Sequence, residues 1–147
     1  MTEAGFPFRT LEKGKRYTVP FDGKNVGSVL VVVERGAEVT TLMAKFFTLP
    51  EMPAPFLRAL LNLNFKLAET KMVLTDAGDL FAAYDISNRL LDKKELLDGV
   101  QNVARVIDAY TPQLYSLAQK QAGGGQPAPT MPPPPQGAPV APPMVKK

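Results

Sequence analysis

The segment from Leu91 to Gln121 constrains this chain more than any other, because it specifies one long amphipathic helix and so demands a surface for that helix to cover. Leu96, Val100, Val103, Ile107, Tyr110, Leu114 and Leu117 recur at alternating steps of four and three residues. At 3.6 residues per turn they fall on a single stripe. Leu97 and Ala104 widen that stripe beyond a coiled-coil seam, which suits it to lying on a sheet. The start is encoded locally. Asp92 can accept from the backbone N–H of Glu95 while the Glu95 side chain reaches back to Asp92, a capping box with Leu91 and Leu96 as the flanking staple pair. Pro112 lacks the N–H that would bond to Asp108, but Tyr110 and Leu114 keep the stripe in register across it. One kinked helix is expected, not two separate ones.

The sheet comes from the rest of the chain. Residues 17–21 alternate with period two, and Pro20, which cannot donate to a ladder, places this strand at a sheet edge. Val29, Leu30, Val31, Val32 and Val33 form a continuous apolar run rich in β-branching, either a central strand covered on both faces or one whose outer face meets a partner. Residues 39–49 return as a third strand, which Pro50, Pro53 and Pro55 end. Phe56, Leu60, Leu63 and Leu67 then share a helix face that closes near Asn64, with Leu57 and Leu61 beside it. Residues 71–75 and 80–86 form a hairpin about Asp76-Ala77-Gly78-Asp79, where glycine supplies positive φ. The order is β-β-β-α-β-β-α. Short connections make neighbouring strands antiparallel, so the expected fold is α+β: an antiparallel sheet of about five strands, covered on one face by two helices.

Composition divides the chain. Nine of the fifteen prolines lie after Gln121, with Gly123-Gly124-Gly125 leading into them. The reading is a loose N-terminal arm (1–15), one folded domain (16–121) and a disordered Pro/Gly-rich tail (122–147). The run Pro132–Pro135 favours polyproline II. The formal charge is +3 and falls to +1 without Lys146 and Lys147, which is no nucleic-acid footprint. The first residues lack the basic-then-apolar pattern of a signal peptide, and no apolar run approaches the roughly 18 residues of a membrane span. A cytoplasmic protein with no membrane and no nucleic-acid partner is expected.

Chemistry is hard to find in this sequence. It contains neither cysteine nor histidine, which removes disulfides, thiolate metal sites and His-based nucleophile activation. Asp76, Asp79 and Asp85 are the nearest acidic group. The first two belong to a turn, where Asp is favoured for local hydrogen bonding, and the spacing is not that of an EF-hand. Gly123–Gly125 follows a helix and leads into prolines, so it is no phosphate loop. Lys13, Lys15, Arg16 and Lys24 interleave with Phe6, Phe8 and Tyr17. Glu3, Glu12 and Asp22 dilute that cluster, which reads as a solvated face over core aromatics. No catalytic, cofactor-binding or metal residue is assigned, no cofactor is expected, and the chain is read as a non-enzyme. The remaining signal is surplus apolar strand surface. Val31, Val33, Phe46 and Phe47 are the candidate partner or dimer residues, whichever of each pair lies on the uncovered face.

Several stretches, taken in order, resemble the YbjN family, whose fold is similar to that of type III secretion chaperones. They are Val29–Glu34, Phe46-Phe47-Thr48-Leu49-Pro50, Phe56-Leu57-Arg58-Ala59-Leu60-Leu61-Asn62-Leu63-Asn64, the hairpin about Asp76–Asp79, and Ile107-Asp108-Ala109-Tyr110 with Leu114. The likeness covers about residues 16–120, and the family's opening helix has no counterpart in the pattern of residues 1–15. It implies a chaperone-like domain that holds a protein or peptide partner, as a homodimer, and it brings no catalytic residues. The alternative reading is a small adaptor whose Pro-rich tail is the binding element. An enzyme or small-molecule binder built on Asp and Lys comes last.

Overall fold

Short turns between apolar strands leave antiparallel pairing as the available geometry, and the computed structural model has that arrangement throughout. It describes residues 9–12, 14–121 and 131–132. The elements are β1 (Arg9–Glu12), β2 (Arg16–Asp22), β3 (Ser28–Arg35), β4 (Val39–Thr48), α1 (Ala54–Lys66), β5 (Lys71–Leu74), β6 (Asp79–Ser87) and α2 (Lys93–Gln121). Six strands form one sheet in the order β1-β2-β3-β4-β6-β5, and every neighbouring pair is antiparallel. The fold is the expected α+β sandwich, with β1 added where a loose arm was expected. Residues 1–8 of that arm, Lys13, and the tail apart from Met131 and Pro132 lie outside the described residues. With β1 present, β2 is second from the edge and not the edge strand that Pro20 suggested. The described β1 pairs β2 only from Arg16 to Thr18, so Pro20 stands past the last β1 pair.

Both helices cover the same face of the sheet. The core joins Val29, Val31 and Val33 of β3, Leu42, Ala44 and Phe46 of β4, Leu80, Ala82 and Ile86 of β6, Phe56 and Leu60 of α1, and Val100, Val103, Ala104, Ile107 and Leu114 of α2. Leu96, Tyr110 and Leu117 of the sequence stripe pack partly buried at its margin. Gly99 lets α2 come close to the sheet: a Cβ there would stand 2.5 Å from Leu42 Cδ1 and 2.9 Å from Tyr84 Cδ1.

Three polar devices fix the layers. At the start of α2, Asp92 Oδ1 accepts the Glu95 N–H at 2.7 Å, the forward half of the capping box. The Glu95 carboxylate is turned to the sheet, where it accepts the Tyr84 hydroxyl at 2.8 Å. In its middle, α2 runs unbroken through Pro112. The Asp108 carbonyl, which Pro112 cannot serve, accepts Asn25 Nδ2 at 3.1 Å, and Asp108 Oδ1 accepts the N–H groups of Asn25 and Val26 at 2.7 and 3.1 Å. The acceptor orphaned by the proline thus holds the β2–β3 turn against the helix. At the end of α1, Asn64 accepts the Met72 N–H at 2.6 Å and donates to the Met72 carbonyl at 3.1 Å. That bond pair occupies the free edge of β5, where unpaired backbone would otherwise invite strand addition.

Candidate functional site

Among the described residues, no helix or strand layer covers the side of the sheet away from α1 and α2. Pairing across the strands arranges it in rows. Arg16 opposes Glu34, which opposes Thr41, which opposes Asp85. This row is polar and internally bonded: Arg16 meets Glu34 at 2.6 Å, and the Thr41 hydroxyl donates to Asp85 at 2.7 Å. The next row runs Thr18, Val32, Met43, Ala83 and Lys71. Beyond it, on the same face, Pro20 opposes Leu30 in one half of the sheet, and Lys45 opposes Phe81, which opposes Val73, in the other half. Lys45 turns to Asp79 at 2.6 Å. That ion pair and a bond from the Thr48 hydroxyl hold the Asp79 carboxyl below its ordinary range. The outcome is an apolar strip of Leu30, Val32, Met43 and Phe81 between two charged margins. Leu30, Val32, Met43, Lys45 and Phe81 line a groove of about 180 Å³ in it.

A second exposed surface lies on α1. Phe56 and Leu60 are buried beneath the helix, whereas Leu57, Leu61 and Phe65 stand one turn apart on its outer side at 37%, 70% and 94% exposure. Three large apolar side chains share one ridge, two of them mostly exposed, and form the most exposed apolar row on the described surface.

None of the four residues proposed from sequence is on either surface. Val31, Val33, Phe46 and Phe47 are 0–3% exposed and belong to the core. Two local facts account for this. Residues 29–33 of β3 are all apolar, so the run does not say which parity faces outward; Leu30 and Val32 are the outward members. In β4 the register slips between Lys45 and Phe47, so that Lys45 opposes Phe81 and Phe47 opposes Leu80. This bulge brings Phe46 and Phe47 onto the helix side together, where a plain strand would have put them on opposite faces. Phe47 there meets Phe46, Phe56 of α1 and Tyr115 of α2 with ring centroids 6.4, 6.3 and 5.8 Å apart. Met43, Phe81 and the α1 ridge carry the exposed surface instead.

The acidic residues do not converge. Asp79 faces Lys45, Asp85 takes the Thr41 hydroxyl, and Asp76 is exposed in the turn. In the basic cluster, Lys15 pairs with Glu12 at 3.4 Å and Tyr17 packs partly buried on the core, while Phe6, Phe8 and Lys13 lie outside the described residues. No helix among the described residues is long and apolar enough to cross a membrane.

These features define a two-layer antiparallel α+β domain with apolar surface on both of its exteriors. No protein-family model matches the chain, and no curated protein does. Among solved structures it is similar to a chain of the heterodimeric ExoU–SpcU complex from the type III secretion system of Pseudomonas aeruginosa. The TM-score is 0.50 at 17% identity, over 74% of this chain and 88% of that one. At that identity the likeness concerns the fold. The chain has a fold found in a heterodimeric complex of that secretion system.

Proposed function

We propose that this chain is a non-enzymatic, chaperone-like protein-binding domain of the cytoplasm, which holds a polypeptide partner and pairs with a second copy through α1. The carrying observation is the ridge Leu57–Leu61–Phe65. Burying each such side chain against a partner is worth about 1.5–3 kcal/mol, and an isolated domain gains nothing by leaving the row in water. A ridge of one-turn spacing is also self-complementary, which suits a two-fold pair. The fold supports the reading, since a solved structure that shares it is a heterodimeric complex. The YbjN resemblance points the same way. Charged groups engaged in cross-strand pairs, rather than gathered in a cleft, are consistent with a binding role.

Light scattering over a concentration series tests the pairing. The full chain is expected to have the mass of a dimer, and the Leu61→Glu/Phe65→Glu double variant that of a monomer with unchanged circular dichroism. A wild-type monomer at every concentration, or a variant that stays dimeric, refutes the α1 interface. A photo-crosslinking residue at position 73, exposed and off the α1 ridge, used in the organism's own cells, tests the partner. A band heavier than the dimer is expected, and its absence counts against the chaperone reading.

A further inference from the structure

Past α2, the structure describes Met131 and Pro132, and Pro132 forms part of the wall of the groove lined by Leu30, Val32, Met43, Lys45 and Phe81. Pro132 is half-buried there, and more than half of the Met131 surface is covered. We propose that the open face of the sheet is a docking groove for this chain's own proline-rich segment, with Pro132 as its anchor.

The chemistry of groove and segment agrees. The groove lies on the face of paired strands, whose backbone groups are committed to the ladders. An occupant must therefore bind through side-chain contact and not by adding a strand. Proline suits this: it has no N–H to satisfy, and a proline run is already extended, so ordering it against an apolar wall costs little entropy. An aromatic wall, here Phe81, is the usual partner of such runs. Length permits it as well. The ten peptide steps from Gln121 to Met131 reach at most about 35 Å when extended, against a helix-on-sheet thickness of about 10 Å. Tethering keeps the segment at an effective concentration in the millimolar range, enough to populate a weak contact. The inference is independent of the α1 reading, because it concerns the opposite side of the sheet.

The test uses the full chain, whose lack of cysteine allows one spin label to be placed cleanly. With a nitroxide on Gln136→Cys and methyl-labelled methionine, the Met43 signal is expected to lose at least five times more intensity than that of Met72, which is buried on the helix side. Adding Pro132→Gly should remove most of that difference. Equal broadening of the two methyls, or a Met43 effect that Pro132→Gly leaves intact, overturns the proposal. Mixing spin-labelled chains with separate methyl-labelled chains identifies the source. Broadening that persists at full strength in the mixture means that a second copy supplies the segment, and this overturns docking within one chain.

Discussion

Gly99→Ala is a substitution in which two known effects oppose each other, and the structure decides between them. In the interior of a helix the change normally stabilises by about 1 kcal/mol, since glycine gives up the most backbone entropy. Here the added Cβ would stand 2.5 Å from Leu42 Cδ1 and 2.9 and 3.0 Å from Tyr84 Cδ1 and Cε1. Carbon atoms prefer 3.5–4.0 Å, so α2 or its neighbours must move by roughly 1 Å. Leu42 is wholly buried, and the Tyr84 ring is tethered through its hydroxyl to Glu95 at 2.8 Å, so neither yields freely. Overpacking of this kind costs about 1–3 kcal/mol. The net expectation is a loss of about 1 kcal/mol, read as a lower urea midpoint at unchanged slope, or as a melting temperature lower by about 3–6 °C. In a Leu42→Ala background, where the nearest atom is gone, the same substitution should cost at most half as much. A Gly99→Ala chain more stable than the parent, or a loss that Leu42→Ala leaves unchanged, refutes the close-approach argument.

Two further expectations concern pH. Burial acts to raise the Asp108 carboxyl, but the N–H groups of Asn25, Lys24 and Val26 outweigh it and hold the group below its ordinary value. The stability this gives is complete above the unfolded-chain value near 3.9 and is lost as pH falls through the lower folded value. Asp108→Asn should therefore cost about 1–2 kcal/mol at pH 7 and show a shallower acid limb below about pH 4 in urea titrations, and parallel limbs would refute the turn–helix clamp. Tyr84 is pushed up to about 12, first by its hydrogen bond to Glu95 and then by burial. Its contribution is full below pH 10 and is lost as pH rises towards 12, so Tyr84→Phe should flatten the alkaline loss of stability over that window; an unchanged alkaline limb would remove Tyr84 from the account.

How much of this was legible in the sequence differs by element. α2 was readable because its cap, stripe and length agree at every turn, and a pattern repeated so often outweighs one proline. That the helix survives Pro112 had a visible cause in register. Its remedy, a side chain from the β2–β3 turn, did not, because Asn25 and Asp108 meet only in the folded chain. The surplus of apolar strand surface was legible in amount but not in place. An unbroken run such as Val29–Val33 carries no parity, and one bulge in β4 reverses the assignment of every residue after it. Alternation alone would have set Phe47 beside Lys45, on the open side. On α1 the residues of the ridge could be read as lying beside the buried stripe, but their exposure depends on what is packed above the helix, which local pattern does not report.

The two surfaces lie on opposite exteriors of one sandwich, and that separation bears on how the domain can work. The sheet strip is bounded by Arg16–Glu34 on one margin and Lys45–Asp79 on the other, so its occupant is limited in width to a single extended segment. The α1 ridge has no such margin and suits a broad contact with another folded body. If the layers act independently, Leu61→Glu/Phe65→Glu should abolish pairing while leaving the Met43 broadening intact, and Pro132→Gly should do the reverse. Cross-effects in either direction would mean that pairing and tail docking share a surface, and would replace the two-surface arrangement with a domain-exchanged tail.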